Sequence, residues 1–118
     1  MKKEIKIFKA LGDSNRFRII KMLEQRSLCV CEITEALELA PSTVSKHLSI
    51  LKEAELIDDL KKGKWVYYKL CKEVKFAADI LKLVKTKIPN DEIIEKDIEF
   101  INSEEIKKFC EIKIKEKK

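Results

Sequence analysis

The chain has 118 residues, of which 45% are hydrophobic and 40% charged, and it contains two glycines and two prolines. That length suits one domain with a short appendage, and the scarcity of helix breakers favours a mainly helical fold. No apolar run approaches the roughly 18 residues of a membrane span, and the basic start is followed by Glu4, not by the apolar core of a signal peptide. We therefore expect a cytoplasmic protein with no membrane partner.

The net charge of +5 is unevenly distributed along the chain. Residues 1–89 carry a net charge of +7, whereas residues 90–118 carry −2. A basic surplus confined to one part of a protein is typical of a surface that binds a polyanion. Because Pro89-Asn90 falls at the same place, we predict one domain over 1–89, which carries the basic surplus, and a C-terminal extension over 90–118.

Two helices separated by Gly12 are predicted at the N-terminus. The first covers Lys2–Leu11, and the second covers about 15–25, with Asp13 or Ser14 as its cap. Arg16 and Arg18, near the start of the second helix, lie at the wrong end for the helix dipole. They are expected to pair either with acids or with phosphate.

The next two predicted helices, 31–39 and 41–54, are joined by a short turn near 38–40, which is typical of a helix-turn-helix. In the second, Val44, Leu48 and Leu51 share one side, with Ile50 and Ala54 beside them. The opposite side is short, polar and mildly basic, which suits a helix lying in a DNA major groove. The residues predicted to contact DNA from this helix are Ser42, Thr43, Ser45, Lys46 and Ser49. The alternative is an ordinary surface helix of a bundle.

A β-hairpin is predicted next, because aromatic and β-branched residues in 56–60 and 65–70 flank a glycine-containing basic turn. A hairpin that follows a helix-turn-helix is a wing. Its tip carries Lys61, Lys62 and Lys64, called the wing lysines below, which would meet the sugar–phosphate backbone of double-stranded DNA.

The predicted helix over 73–88 has an apolar stripe too broad for so small a domain to cover. Its members are Val74, Ala77, Ile80, Leu81, Val84 and Ile88, with Phe76 and Leu83 beside them. We infer a homodimer built from this helix and the first. The dimer would present its two 41–54 helices, called the reading helices below, to two half-sites of DNA. Burial inside one monomer is the alternative. In the extension, Ile94, Ile98 and Ile101 are at helical spacing, and Phe109, Ile112 and Ile114 follow, so we expect order there.

These elements, in this order, resemble the arsenical-resistance repressor (ArsR/SmtB) family of winged-helix regulators. The residues that carry the resemblance are 8–16, 28–33, 41–48 and 63–68, within a matching stretch of about 5–88. The resemblance implies a mainly α (α+β) winged helix-turn-helix with a two-stranded β-hairpin wing. It also implies a dimeric repressor, not an enzyme, that sits on operator DNA and leaves when an inducer binds.

Leu28-Cys29-Val30-Cys31-Glu32 resembles the trivalent arsenic site of the arsenite-responsive branch of that family. As(III) and Sb(III) are soft and bind thiolates, so they are the expected inducers, and other soft ions such as Cd(II), Pb(II) or Zn(II) stay open. No obligatory cofactor is expected. Family sensors can have a third cysteine one turn later, where this chain has Thr34. A third thiol ligand would have to be Cys71 or Cys110; the alternative is a weaker site with two thiols.

The spacing of the thiol pair has a geometric consequence, because the resemblance places both cysteines in the opening turn of the first helix of the helix-turn-helix. Residues two apart on a helix point about 200° away from each other. Cys29 and Cys31 could then grip one ion only if the first turn of their helix unwound or shifted. Because that turn supports the reading helix, inducer binding and operator binding would compete.

Three other functions compete with this interpretation. The first is a thiol redox or persulfide sensor on the same fold, which would pair Cys29 or Cys31 with Cys71 or Cys110. The second is a thiol oxidoreductase, which is opposed by the lack of a strand–Cys-x-x-Cys–helix unit. The third is a protein-interaction module, which the wing lysines oppose. His47, the only histidine, is predicted to be a packed or capping residue.

Overall fold

The computed structural model describes residues 2–106 and Cys110, so the predictions for Phe109, Ile112 and Ile114 lie outside the described residues. Its elements in chain order are α1 (Lys2–Leu11), α2 (Ser14–Leu23), β1 (Leu28–Cys29), α3 (Val30–Leu37), α4 (Pro41–Glu53), β2 (Ile57–Lys62), β3 (Trp65–Leu70), α5 (Lys75–Lys87) and α6 (Glu92–Ile101). This order confirms the predicted winged helix-turn-helix. Over the described ranges, no helix combines the length and apolar character needed to cross a bilayer.

The corner between α1 and α2 is fixed by polar side chains of the α2 N-terminus. Asp13 is the N-cap, and its carboxylate accepts hydrogen bonds from the backbone N–H groups of Asn15 at 2.9 Å and Arg16 at 3.1 Å. Arg16 reaches back to the end of α1, where it donates to the carbonyls of Ala10 at 2.8 Å and Lys9 at 3.2 Å. Arg16 thus bonds backbone carbonyls, a role that the sequence did not predict, and its expected partners, acid or phosphate, stay predictions.

The helix-turn-helix is built around a short turn between α3 and α4, as predicted. Glu38 ends α3 in the left-handed conformation with φ of 56°, and its N–H bonds the Thr34 carbonyl at 3.1 Å. Pro41 opens α4. The apolar side of α4 is buried through Val44, Leu48 and Leu51. Ile50, which the pattern grouped near that side, is 40% exposed.

A three-stranded antiparallel sheet, in the order β1-β3-β2, contains the predicted hairpin and one strand that was not predicted. β2 pairs with β3 from Ile57 opposite Leu70 to Lys62 opposite Trp65, and Gly63 turns the chain with φ of +62°. The extra strand, β1, is two residues long and pairs Cys29 with Tyr67. β1 therefore ties the start of α3 to the base of the wing.

The C-terminal helix α6 packs against α2 and α3, and its inner face is apolar. Arg18 and Asp97 form a two-pronged ion pair across this contact, with Nε–Oδ2 and NH2–Oδ1 distances of 2.8 Å. Arg18 thus has the acid partner that was one of its two expected alternatives. The outer face of α6 carries Glu92, Glu95 and Glu99, all exposed to solvent.

The apolar stripe of α5 is divided between the core and the surface. Ala77, Leu81 and Val84 are buried. Lys21 of α2 lies beneath this helix with 1% of its surface exposed, and its Nζ contacts the carbonyls of Val84 and Ile88 at 3.4 Å and Glu24 Oε1 at 3.0 Å. The two apolar residues beside the stripe face solvent, because Phe76 is 40% and Leu83 is 53% exposed.

Candidate sensor site and nucleic-acid interface

The structure places all eight residues predicted to contact DNA on the surface. On α4 these are Ser42, Thr43, Ser45, Lys46 and Ser49, and on the wing they are Lys61, Lys62 and Lys64. The apolar side of α4 is buried in the core, which leaves its polar side exposed to solvent. The small hydroxyls and lysines on that exposed side are suited to contact with a duplex. His47 lies at the edge, half-buried, with Nδ1 3.2 Å from NH1 of Arg16. It therefore links α4 to α2, as expected of a packed histidine.

The wing adds positive charge next to this helix. Lys62 Nζ lies 5.9 Å from the centre of the Tyr67 ring, so one wing lysine is partly held by a cation–π contact. Lys52, at the end of α4, pairs with Asp59 of β2 at 3.0 Å. This exposed ion pair connects the reading helix α4 to the wing.

The two sensor cysteines do not both belong to a helix. α3 begins at Val30, and Cys29 is the last residue of β1 and the N-cap of α3, with φ −80° and ψ 160°. The prediction that an intact helix holds the two thiols on opposite sides was therefore wrong. The pairing of Cys29 with Tyr67 in the sheet is what pulls this residue out of helical conformation.

Cys29 and Glu32 form a reciprocal capping box at the start of α3. The Glu32 backbone N–H faces the Cys29 sulfur, and Glu32 Oε1 accepts from the Cys29 backbone N–H at 3.0 Å. Burial raises the pKa of the Cys29 thiol to about 11; the Glu32 N–H works against this shift, whereas the Glu32 carboxylate adds to it. Cys29 is consequently a neutral thiol at pH 7.

Glu32 is also the centre of a wider network. Its carboxylate accepts from Arg26 NH2 at 2.6 Å and NH1 at 3.2 Å, and the same Arg26 NH2 donates to the Ile101 carbonyl at 2.6 Å. Burial would raise the pKa of Glu32, but the hydrogen bonds from Arg26 and Cys29 outweigh it and keep the pKa below its usual value. A charged carboxylate is therefore held beside the thiols.

A third thiol lies with this pair. Cys110 is 4% exposed and belongs to the same apolar core as Cys29, against which the half-buried Cys31 packs. Burial raises the pKa of Cys110, and a hydrogen bond with Cys31 and the charge of the Glu32 carboxylate raise it further. Cys71 is elsewhere: it follows β3, and its N–H bonds the Leu56 carbonyl at 2.9 Å.

The donors at this site are sulfur atoms and fit a soft ion. Both carboxylate oxygens of Glu32 are already occupied, and Tyr67, which lies opposite Cys29, offers a neutral phenol. Within residues 2–106 and 110, no three His, Cys, Asp or Glu side chains are already positioned to hold a metal ion. A ligand that requires thiols would have to draw them together.

Sequence reasoning missed Glu32, Arg26 and Tyr67 as parts of this site. The signal for Glu32 was present, because a potential cap followed three residues later by glutamate is a capping box. Cysteine is an unusual cap, which hides the pattern. Arg26 and Tyr67 meet the thiols only through contacts that are distant in sequence.

A helix-turn-helix with an exposed polar reading face and a basic wing defines a winged-helix regulatory protein. Residues 13–59 match the model of the bacterial regulatory protein arsR family. An uncharacterized HTH-type transcriptional regulator of Methanocaldococcus jannaschii is 42% identical over 83 residues, which are 70% of this chain and 91% of that relative. The chain belongs to the arsR family.

Two further comparisons agree with that assignment. The arsenic resistance transcriptional regulator ArsR1 of Pseudomonas putida is 46% identical over 69 residues, which are 58% of this chain. The chain spans about half of that relative's length, 54%. The homodimeric winged helix-turn-helix DNA-binding domain of a Mycobacterium bovis protein has a TM-score of 0.62 at 26% identity, with 71% of this chain and 76% of that chain covered.

The raised pKa of Cys29 predicts an unusual pH dependence of its alkylation. The thiolate is the reacting species, so a pKa of about 11 means that labelling by iodoacetamide rises about tenfold per pH unit from 8 to 10. The rate is measured by mass spectrometry of the Cys29 peptide. The control is the same peptide in urea-unfolded protein, where labelling should level off near the ordinary cysteine pKa. Folded-state labelling that levels off by pH 9 would contradict the described burial.

Proposed function

We propose that this protein is a homodimeric transcriptional repressor that binds operator DNA and is released when As(III) or Sb(III) binds Cys29 and Cys31. The observation that carries this proposal is the position of Cys29, which caps the helix on which the reading helix rests. The names of arsenic-resistance relatives agree with it. We assign DNA binding and dimerisation to residues 1–89. To the extension, 90–118, we assign the shielding of the thiols from solvent.

Inducer binding competes with the helix cap. In the DNA-binding state, the Cys29 sulfur faces the Glu32 N–H and the Cys29 N–H is held by the Glu32 carboxylate. A sulfur bonded to arsenic must turn toward the ion and toward Cys31, which breaks the reciprocal arrangement. Loss of a cap costs about 1 kcal/mol, and α3 would shift or fray at its first turn. Because α3 packs on α4, the reading helix would lose its pose.

The charge of the site favours trivalent arsenic over divalent cations. Arsenous acid exchanges its hydroxyls for thiols with release of water, so As–O bonds break, As–S bonds form and no charge is left behind. A divalent cation held by three thiolates would instead leave a net negative charge beside the Glu32 carboxylate in a buried place. Neutral thiols next to a fixed carboxylate therefore suit As(III) and Sb(III) better than Cd(II), Pb(II) or Zn(II).

The exposed apolar face of α1 and α5 supports the homodimer. Phe8 is 54% exposed and Phe76 is 40% exposed, and their rings meet edge-to-face with centres 6.2 Å apart. Ile5 and Leu83, at 47% and 53% exposure, lie on the same two helices. The helix α6 of the extension packs on α2 and α3 and leaves this face open. A face of this kind is suited to a second copy of the chain.

The wing lysines are expected to contact phosphates. Replacing Lys61, Lys62 and Lys64 with alanine should weaken DNA binding and reduce the slope of log affinity against log salt by about 0.9 for each phosphate that is no longer neutralised. The measurement is fluorescence anisotropy on a short duplex that the wild-type protein has selected from a random library.

A matched variant controls for the loss of charge in that experiment. Lys75, Lys82 and Lys96 are also exposed but lie on α5 and α6. Their replacement by alanine removes the same three charges and should leave the salt slope nearly unchanged. Equal slopes for the two triple variants would remove the wing from the interface.

Arsenite should release the wild-type protein from that duplex, and Cys29→Ser and Cys31→Ser should remain bound. Serine is a good N-cap, so Cys29→Ser keeps the fold and the DNA affinity while it removes the ligand. The titration is run under a phosphine reductant, which excludes oxidation without offering a competing dithiol. Cys71→Ser is the control and should respond like wild type. Release of Cys29→Ser by arsenite at the wild-type concentration would refute the site.

The dimer face is tested with a charge placed in it. Leu83→Glu should convert the dimer to monomer in analytical ultracentrifugation, because the carboxylate would be desolvated in the interface. Ile93→Glu on α6 is the matched control, since Ile93 is also exposed, at 56%, and should leave the dimer intact. Dissociation by both variants, or by neither, would argue against the α1–α5 interface.

A second candidate function is a thiol redox or persulfide sensor, favoured by the contact between Cys31 and Cys110. Oxidation of these two thiols by a peroxide would form a disulfide with reduction of the peroxide to water. This alternative predicts that peroxide without arsenite releases the protein from the duplex. It also predicts that arsenite under the phosphine reductant does not release it.

A further inference from the structure

Deepening the proposed function and resting on it, we propose that Cys110 supplies the third thiol of the sensor site, so that Cys29, Cys31 and Cys110 hold one trivalent arsenic or antimony. The sequence left the third donor open between Cys71 and Cys110. The structure separates these two cysteines by their positions relative to Cys29.

Burial and a hydrogen bond with Cys31 place Cys110 beside the predicted thiol pair. Cys110 and Cys29 are each 4% exposed and belong to one apolar core, and Ile101 and Ile106, both fully buried, bring the extension into it. Cys31 packs against the same core. Arg26 fixes the end of α6 to this place, because its guanidinium bridges the Ile101 carbonyl and the Glu32 carboxylate.

Cys71 is excluded by the strand register. Cys29 lies opposite Tyr67 in the sheet, and Cys71 follows four residues later along the same strand direction. At about 3.3 Å per residue, that places Cys71 roughly 13 Å along the strand from the partner of Cys29. Since β1 and β3 are antiparallel, this direction runs back past Leu28, away from Cys31 and α3.

The three thiols are neighbours but are not yet arranged around a common point. Among residues 2–106 and 110, no three potential ligands are positioned to hold an ion. Binding must therefore draw Cys29 from its cap and bring Cys31 and Cys110 to the same arsenic atom. Three thiol protons and three hydroxyls leave as water, three As–S bonds form, and no oxidation occurs.

Two arsenicals with different numbers of open positions test this assignment. Arsenite has three exchangeable oxygens, whereas phenylarsine oxide binds two thiols. The variant Cys110→Ala keeps a small apolar side chain in the core. We expect it to need about tenfold more arsenite for half-release from the selected duplex, because the third bond is missing from an intramolecular chelate. Its response to phenylarsine oxide should match wild type.

A structural readout accompanies the titration. X-ray absorption of the arsenite-loaded protein should show three As–S bonds in wild type and in Cys71→Ala, and two As–S bonds with one As–O bond in Cys110→Ala. Equal weakening of both arsenicals by Cys110→Ala would make Cys110 a packing residue and overturn the proposal. An unchanged arsenite response would overturn it too, with the Cys29–Cys31 site intact. Failure of both arsenicals to release wild type would instead defeat the proposed function itself.

Discussion

The carboxylate of Glu32 is the group that holds together the surroundings of Cys29 and Cys31, the proposed inducer ligands. One oxygen accepts the Cys29 backbone N–H, both accept from Arg26, and Arg26 in turn binds the carbonyl at the end of α6. A strand end, a helix start and the C-terminal helix thus meet at a single charged group. Because that group is buried and its partners are specific, none of these elements can move far without leaving a charge or a polar atom unpaired.

This arrangement explains how a small ligand can act on a distant surface. The thiol that would bind the inducer is part of the cap of α3, and α3 and α2 are the supports of the reading helix through packing and through the Arg16–His47 contact. In the proposed switch, the two states would differ in a local choice at Cys29, between the Glu32 N–H and a soft ion. Coupling of this kind requires no long pathway, because the switching turn and the reading helix share one core.

Much of the fold could be predicted from local patterns, but the sensor geometry could not. The amphipathic pattern of α4, the basic hairpin and the turn near Glu38 all arise from neighbours in sequence, and each was found where expected. β1 is only two residues long and exists because β3 pairs with it, so no periodicity could reveal it. The conformation of Cys29 follows from that pairing. The docking of α6 depends on Arg18 and Asp97, which lie 79 positions apart.

The acidic outer face of α6 bears on how DNA would first meet the protein. Glu92, Glu95 and Glu99 form a ridge on the extension that is net acidic, although the exposed Lys96 pairs with Glu92 at 3.8 Å. The wing and α4 present lysines. A diffusing duplex is repelled by the ridge and attracted by the lysines, so collisions that begin in the wrong orientation are turned away before contact. The acidic face of α6 would in this way increase the fraction of encounters in which the duplex first meets the lysines. Added salt would screen the charges and weaken this orienting effect.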